Sequence, residues 1–136
     1  MKHAHPGLGF TLIDVLVATA CVAVLVTLAW PSYQNLLERG QRAQARAALI
    51  QAAHWFERAA SANGSYPANS LIPASVLQVE GQRYQLTVTS TPQSYTLSAT
   101  PIGTPSADAC GTLTLNHLGV RGVQGGSQTT AQCWSR

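Results

Sequence analysis

Gly9-Phe10-Thr11-Leu12-Ile13-Asp14, followed without a break by Val15-Leu16-Val17-Ala18-Thr19-Ala20-Cys21-Val22-Ala23-Val24-Leu25-Val26-Thr27-Leu28-Ala29-Trp30, is the stretch whose reading decides the fold. The run is apolar for about twenty residues, long enough to cross a hydrocarbon core of about 30 Å as a helix. One ionisable residue, Asp14, sits four places after Phe10. A charged carboxylate at membrane depth costs about 3 kcal/mol on insertion scales, so Asp14 reads as a functional residue in need of a partner. Upstream lies a short polar leader, Met1 to Gly9, with Lys2, His3 and His5.

An ordinary secretory signal places its apolar core before a small-residue cleavage site. Here the order is reversed, because a cut after Gly9 precedes the apolar core. Such a cut keeps the membrane segment and makes Phe10 the new N-terminus. Thr11-Leu12-Ile13 then separates a free amine from Asp14. The Gly-Phe-Thr-Leu-Ile-acid pattern resembles the type IV prepilin leader, shared by type IV pilins and type II secretion pseudopilins. The alternative is an uncleaved membrane anchor that carries an acid. The family usually has Glu where this chain has Asp14, one methylene shorter. The resemblance implies cleavage after Gly9 by a membrane-embedded prepilin peptidase and N-methylation of Phe10. It also implies that Asp14 sets assembly registry by meeting the Phe10 amine of a neighbouring subunit. Within one chain the same two groups lie about one helical turn apart and could neutralise each other.

With 136 residues there is room for one small domain besides the anchor. Without the leader's Lys2, seven arginines face five acids, a balance too mild to argue for nucleic acid or anionic lipid. Cys21 lies inside the apolar run and reads as a small buried residue. Cys110 and Cys133, in the C-terminal region, are the natural disulfide pair, which implies an oxidising compartment. Closing that loop of about 24 residues stabilises the fold by about 3 kcal/mol on the loop-entropy account. The spacing lacks the paired C-x-x-C units of a zinc site, and no metal or cofactor is expected. One rule disagrees. Arg39, Arg42 and Arg46 follow the anchor while Lys2 alone precedes it, so the positive-inside count would place the domain in the cytoplasm. The cysteine pair and the leader outweigh that count.

The helical pattern continues past Trp30, because Ser32 to Ala62 is rich in Leu, Ala, Gln, Glu and Arg. Leu49, Ala52, Ala53, Phe56 and Ala60 recur at helical spacing and mark one apolar face. Asn63-Gly64 supplies the stop, with Pro67 beyond it. A helix from Phe10 to Ala62 would be roughly 80 Å long. Pro31 falls inside it, where a missing donor and a crowded carbonyl at Thr27 kink or loosen the helix. In type IV pilins a Pro at this place marks a helix break that loosens on filament packing.

After a connecting loop to about Gly81, three stretches alternate apolar with polar: Tyr84, Leu86 and Val88; Tyr95, Leu97 and Ala99; Leu113 and Leu115. Thr91-Pro92-Gln93-Ser94 reads as a hairpin connection, and a fourth short strand is possible around Gly119 to Val123 after a turn near His117. The expected architecture is α+β: a long N-terminal helix, its first half membrane-spanning, packed on a three- to four-stranded antiparallel sheet. The expected divisions are a cleaved leader (1–9), a transmembrane or filament-core half-helix (10–30), an amphipathic half-helix (31–62) and a head (63–136). Gly122 to Gln132 reads as a loose loop tethered by a disulfide region at 110–133. Cys110-Gly111-Thr112-Leu113 and Cys133-Trp134 resemble the C-terminal region of minor pilins similar to a major pilin subunit.

Arg39, Arg42 and Arg46 fall on one helical stripe, most simply a solvated or headgroup-facing one. Together with Arg121 and Arg136 they are also candidate contacts to DNA phosphates or to neighbouring subunits. Arg83 adds scattered charge. Asp108 reads as a turn cap beside Cys110. His54 and His117 have no nucleophile or acid placed beside them by motif, so an enzyme is not expected. The expected function is a structural minor pilin of a bacterial type IV pilus, serving biogenesis, motility and adhesion. Its expected partners are other pilin subunits in a helical filament, the prepilin peptidase and an inner-membrane assembly platform. It would sit in the inner membrane, N-terminus cytoplasmic, and later in the extracellular pilus. The alternatives are a DNA-binding minor pilin for natural transformation and a type II secretion pseudopilin.

Overall fold

The computed structural model describes residues 10–103 and 108–135. The chain divides into two compact units, with the boundary between Leu37 and Glu38. One helix, α1 (Leu12–Asn63), runs through that boundary and carries Pro31 inside it without interruption. The helix thus begins two residues later and ends one residue later than its sequence pattern suggests. In this single chain α1 stays helical through Pro31, whereas the loosening that the resemblance implies belongs to filament packing.

In the first unit, every described residue from Phe10 to Leu37 is exposed. Nothing covers Leu12, Leu16, Val24 or Leu28, and Cys21 is an exposed, unpaired thiol where a buried one was expected. The polar groups of the span satisfy themselves on the helix. Thr19 Oγ1 donates to the carbonyls of Val15 and Leu16 at 3.0 and 2.9 Å, and Thr27 Oγ1 to that of Val24 at 2.8 Å. Such back-bonding is what a hydroxyl needs where no water is available.

In the second unit, α1 lays a stripe of small and large apolar residues on a sheet. Ala45, Ala48, Leu49, Ala52 and Phe56 are buried, at the three- and four-residue spacing of one helix face. Ala53 is partly buried against the same core, and Ala60 is only half-buried. The sheet is an antiparallel meander in the order β1 (Tyr84–Thr91), β2 (Ser94–Pro101), β3 (Gly111–Asn116), β4 (Arg121–Gly125). Period-two alternation turns Tyr84, Leu86, Tyr95, Leu97, Ala99, Leu113 and Leu115 toward the helix. The register aligns them, Leu86 opposite Ala99, Leu97 opposite Leu115, and Ala99 opposite Leu113. The outward positions form cross-strand rows of Thr87, Ser98, Thr114 and Gly122, and of Thr89, Thr96 and Asn116, with Gln85 opposite Thr100 and Thr112 opposite Gln124. No charged side chain interrupts these rows.

The connections correct two expectations. The loop before β1 is wound into three short 3₁₀ turns, Asn69–Leu71, Ala74–Leu77 and Glu80–Gln82. The C-terminal segment expected to be loose is structured. β4 occupies Arg121–Gly125, two residues later than expected, and a short helix α2 (Thr130–Trp134) follows. Thr129 and Gln132 close a reciprocal capping box at its start. Cys110 and Cys133 form the expected disulfide, with Cα atoms 5.7 Å apart. Gly126 passes the Cys110 backbone so closely that a Cβ there would meet its carbonyl group and lie 2.6 Å from the Ala109 oxygen.

Candidate functional site

In the first unit the chemistry is concentrated where α1 begins. Thr11 is the residue before the helix, and Asp14 is third within it. The Asp14 carboxylate accepts from the Thr11 amide at 3.0 Å and the Thr11 hydroxyl at 2.7 Å, while the Asp14 amide donates back to Thr11. This is the reciprocal geometry of a capping box, and it places an acid at the positive end of the helix dipole. With residues 1–9 attached, Phe10 has no free amine, and Thr11 is what holds Asp14. Gly9 lies outside the described residues, as does Arg136.

In the second unit, the arginine stripe divides. Arg39 is exposed. Arg42 does not form the solvated stripe expected of it, because its side chain is only 12% exposed and its Nε donates to both oxygens of Asp108, at 2.8 and 2.9 Å. It also pairs with Glu38 at 3.3 Å, one turn back on the helix. Arg46 turns toward the C-terminus and donates to the carbonyl of Cys133 at 3.2 Å and to that of Ser135. Two of the residues singled out for external contacts are therefore engaged within their own unit. Their partners lie 66 and 87 residues away in the chain, beyond the reach of any local pattern.

Asp108, 9% exposed, caps the turn as expected by accepting the Cys110 amide at 2.8 Å. It also accepts from the Tyr84 hydroxyl. Burial alone would push its carboxyl up, but the hydrogen bonds from Arg42, Tyr84 and the Cys110 amide hold it below the usual carboxylate range. Burial, and then the bond to Asp108, pushes the Tyr84 phenol far above its ordinary value. At the other end of the sheet, Glu57 accepts from Tyr95 at 3.0 Å and from Tyr66 at 3.1 Å. Phe56 stacks on Tyr95 with centroids 4.7 Å apart, and Tyr66 meets Tyr95 edge-on at 4.9 Å. His117 flanks both tyrosines at 6.3 Å, whereas His54 is exposed.

The exposed cationic feature that sequence reading missed is a stack. The Arg121 guanidinium lies 5.2 Å over the Trp134 ring, whose Nε1 donates to the Gly122 carbonyl at 3.1 Å. In the sequence Trp134 stands thirteen places after Arg121. Arg121 reaches it because α2 packs against β4.

Comparison with known proteins agrees with this geometry. A family model described as "Type IV minor pilin ComP, DNA uptake sequence receptor" matches residues 31–114. The structure of a type IV pilin from Shewanella oneidensis is similar at 32% identity and a TM-score of 0.54, covering 73% of this chain and 99% of that one. The non-core minor pilin PilV of Neisseria meningitidis is similar in fold at 23% identity and a TM-score of 0.52, covering 69% of this chain and 93% of that one. No curated protein matches the chain.

Proposed function

The chain belongs to the type IV minor pilin family, and we propose that it works as an assembled subunit of a pilus after loss of its leader. Family and fold are structural in kind, and membership implies assembly with other pilins. The observation that carries the proposal is the first unit of α1, an apolar helix exposed along its whole described length with one acid at its start. Such a surface is stable only in lipid or against other apolar helices. The prepilin peptidase cuts after Gly9 at the inner membrane and methylates Phe10, and the assembly platform then moves the subunit into the extracellular filament. Cleavage creates a free amine at Phe10, and Asp14 exchanges its Thr11 bonds for the Phe10 amine of a neighbour. A buried pair of that kind defines position more than it adds stability. Pro31 is the place where α1 loosens on packing.

Asp14→Ala tests the registry role. The variant should insert and be processed normally but appear in sheared filaments at about one tenth of the parent level or less, the scale of a lost 1.4 kcal/mol. Parental incorporation would remove Asp14 from the proposal.

A second reading, DNA binding, is favoured by the match to the minor pilin ComP family of DNA uptake sequence receptors. In this chain the phosphate contacts would come from Arg39 and from Arg121 on its Trp134 platform, together with Arg136, since Arg42 and Arg46 are engaged internally. Gel-shift of the full chain in detergent with duplex DNA checks this. Arg121→Ala should weaken binding several-fold and lower the salt slope by about one. An unshifted duplex, or an unchanged affinity, excludes the receptor role for this face. A type II secretion pseudopilin is the remaining assembly context.

A further inference from the structure

Arg42 and Arg46 lie one turn apart on α1, about 6 Å along its axis, and each holds one arm of the disulfide. Arg42 binds Asp108, and Asp108 in turn fixes the amide of Cys110 at 2.8 Å. Arg46 holds the carbonyl of Cys133 itself at 3.2 Å, and that of Ser135. The Cα atoms of the two cysteines are 5.7 Å apart, close to the rise between the two arginines. None of these contacts involves sulfur, so none depends on the bond between the sulfurs.

A third contact points the same way. Gln128 Oε1 lies 3.5 Å from Cys110 Sγ and 3.9 Å from Cys133 Sγ. Disulfide sulfurs have no proton to donate to it, so these are packing contacts: the Gln128 side chain lies against both sulfurs and keeps them on one side of the loop. Gln128 is held there by its own amide, which donates to the Ala109 carbonyl at 2.9 Å beside the Ser127 amide at 2.8 Å.

We propose that Arg42, Asp108, Arg46 and Gln128 are positioning residues for the oxidation of Cys110 and Cys133, bringing the two thiols together before they are joined. The reaction is thiol–disulfide exchange with a disulfide oxidant. One cysteine thiolate attacks the oxidant, forming a mixed disulfide and releasing one thiol. The second cysteine thiolate then attacks the mixed disulfide at the protein sulfur, forming the Sγ–Sγ bond and releasing the second thiol. Two protons and two electrons leave the protein, and the oxidant is reduced to two thiols. The positioning residues act on the second, intramolecular step, whose rate is set by how closely the chain holds its two sulfurs.

The test uses the full-length chain carrying Cys21→Ser, which removes the free thiol, in detergent micelles, reduced and then mixed with oxidised glutathione, quenched by alkylation and resolved by mass. Asp108→Asn combined with Arg46→Gln should slow conversion of the mixed disulfide to the protein disulfide about tenfold, the loss expected when two arms are released to flexible-loop closure. Tyr95→Phe, which removes a buried bond at the opposite end of the sheet, controls for general loosening and should leave that rate unchanged. Gln128 is exposed, so Gln128→Ala keeps the fold and should slow the step about threefold by removing the side chain that lies against both sulfurs. Rates within twofold of the parent for the double variant overturn the proposal, as does equal slowing by Tyr95→Phe. Should the double variant unfold, Gln128→Ala decides alone, and a parental rate there overturns it.

Discussion

Arg42 and Asp108 form the polar joint of the head, tying α1 to β1 through Tyr84 and to the disulfide arm through Cys110. Removing one member of a buried pair leaves the other charged and unpaired, which costs more than the pair contributes. Arg42→Ala should therefore destabilise the head by about 3 kcal/mol in urea unfolding at neutral pH. The acid limb has a defined sign. Asp108 has a depressed folded pKa, so its contribution is present above its unfolded pKa, about 4, and is lost as pH falls through the folded value. The parent should lose stability steeply below about pH 4, and Arg42→Ala should flatten that limb. An identical acid limb in both proteins would refute the assignment. The sequence showed both residues but not their pairing. An arginine stripe at helical spacing looks solvated until a carboxylate 66 residues later folds onto it.

Among the elements, those with a sustained period were legible and those without one were not. The alternation through Tyr84–Val88 and Tyr95–Ala99 gave both strands and their hairpin, and Leu49 and Phe56 gave the helix face. β4 escaped exact placement because Gly122 and Gly125 leave no alternation to read. α2 is five residues long, too short for a hydrophobic period, yet Thr129-x-x-Gln132 was a visible capping signal that could have found it. Thr129→Ala should cost about 1 kcal/mol, the usual effect of losing such a cap. Amide hydrogen exchange should accelerate at residues 130–134 and stay unchanged in β1 and β2. Uniform acceleration across the head would show that the cap is not a local device.

At the scale of the whole molecule, the resemblance drawn from Gly9 to Trp30 led to the family, because few folds need an acid four places into an uninterrupted apolar helix. What that stretch does in a filament was not legible, since it depends on contacts to other chains. Processing is the first step that can be checked. On the proposed cleavage after Gly9, Gly9→Ile should leave a slower-migrating precursor in the membrane fraction, because a branched side chain would block a peptidase that requires glycine. A mature chain beginning at Phe10 would refute that cleavage site.

The outward rows of Thr, Ser, Asn and Gln on β1–β3 have a physical consequence of their own. A face without fixed charge sets up no counterion cloud, so neighbours approach it under the same forces in dilute and in concentrated salt. Among the described residues the arginines lie elsewhere, on α1, before β1 and on β4, where ionic strength still modulates attraction. One head thus offers the medium two kinds of skin, one indifferent to salinity and one responsive to it.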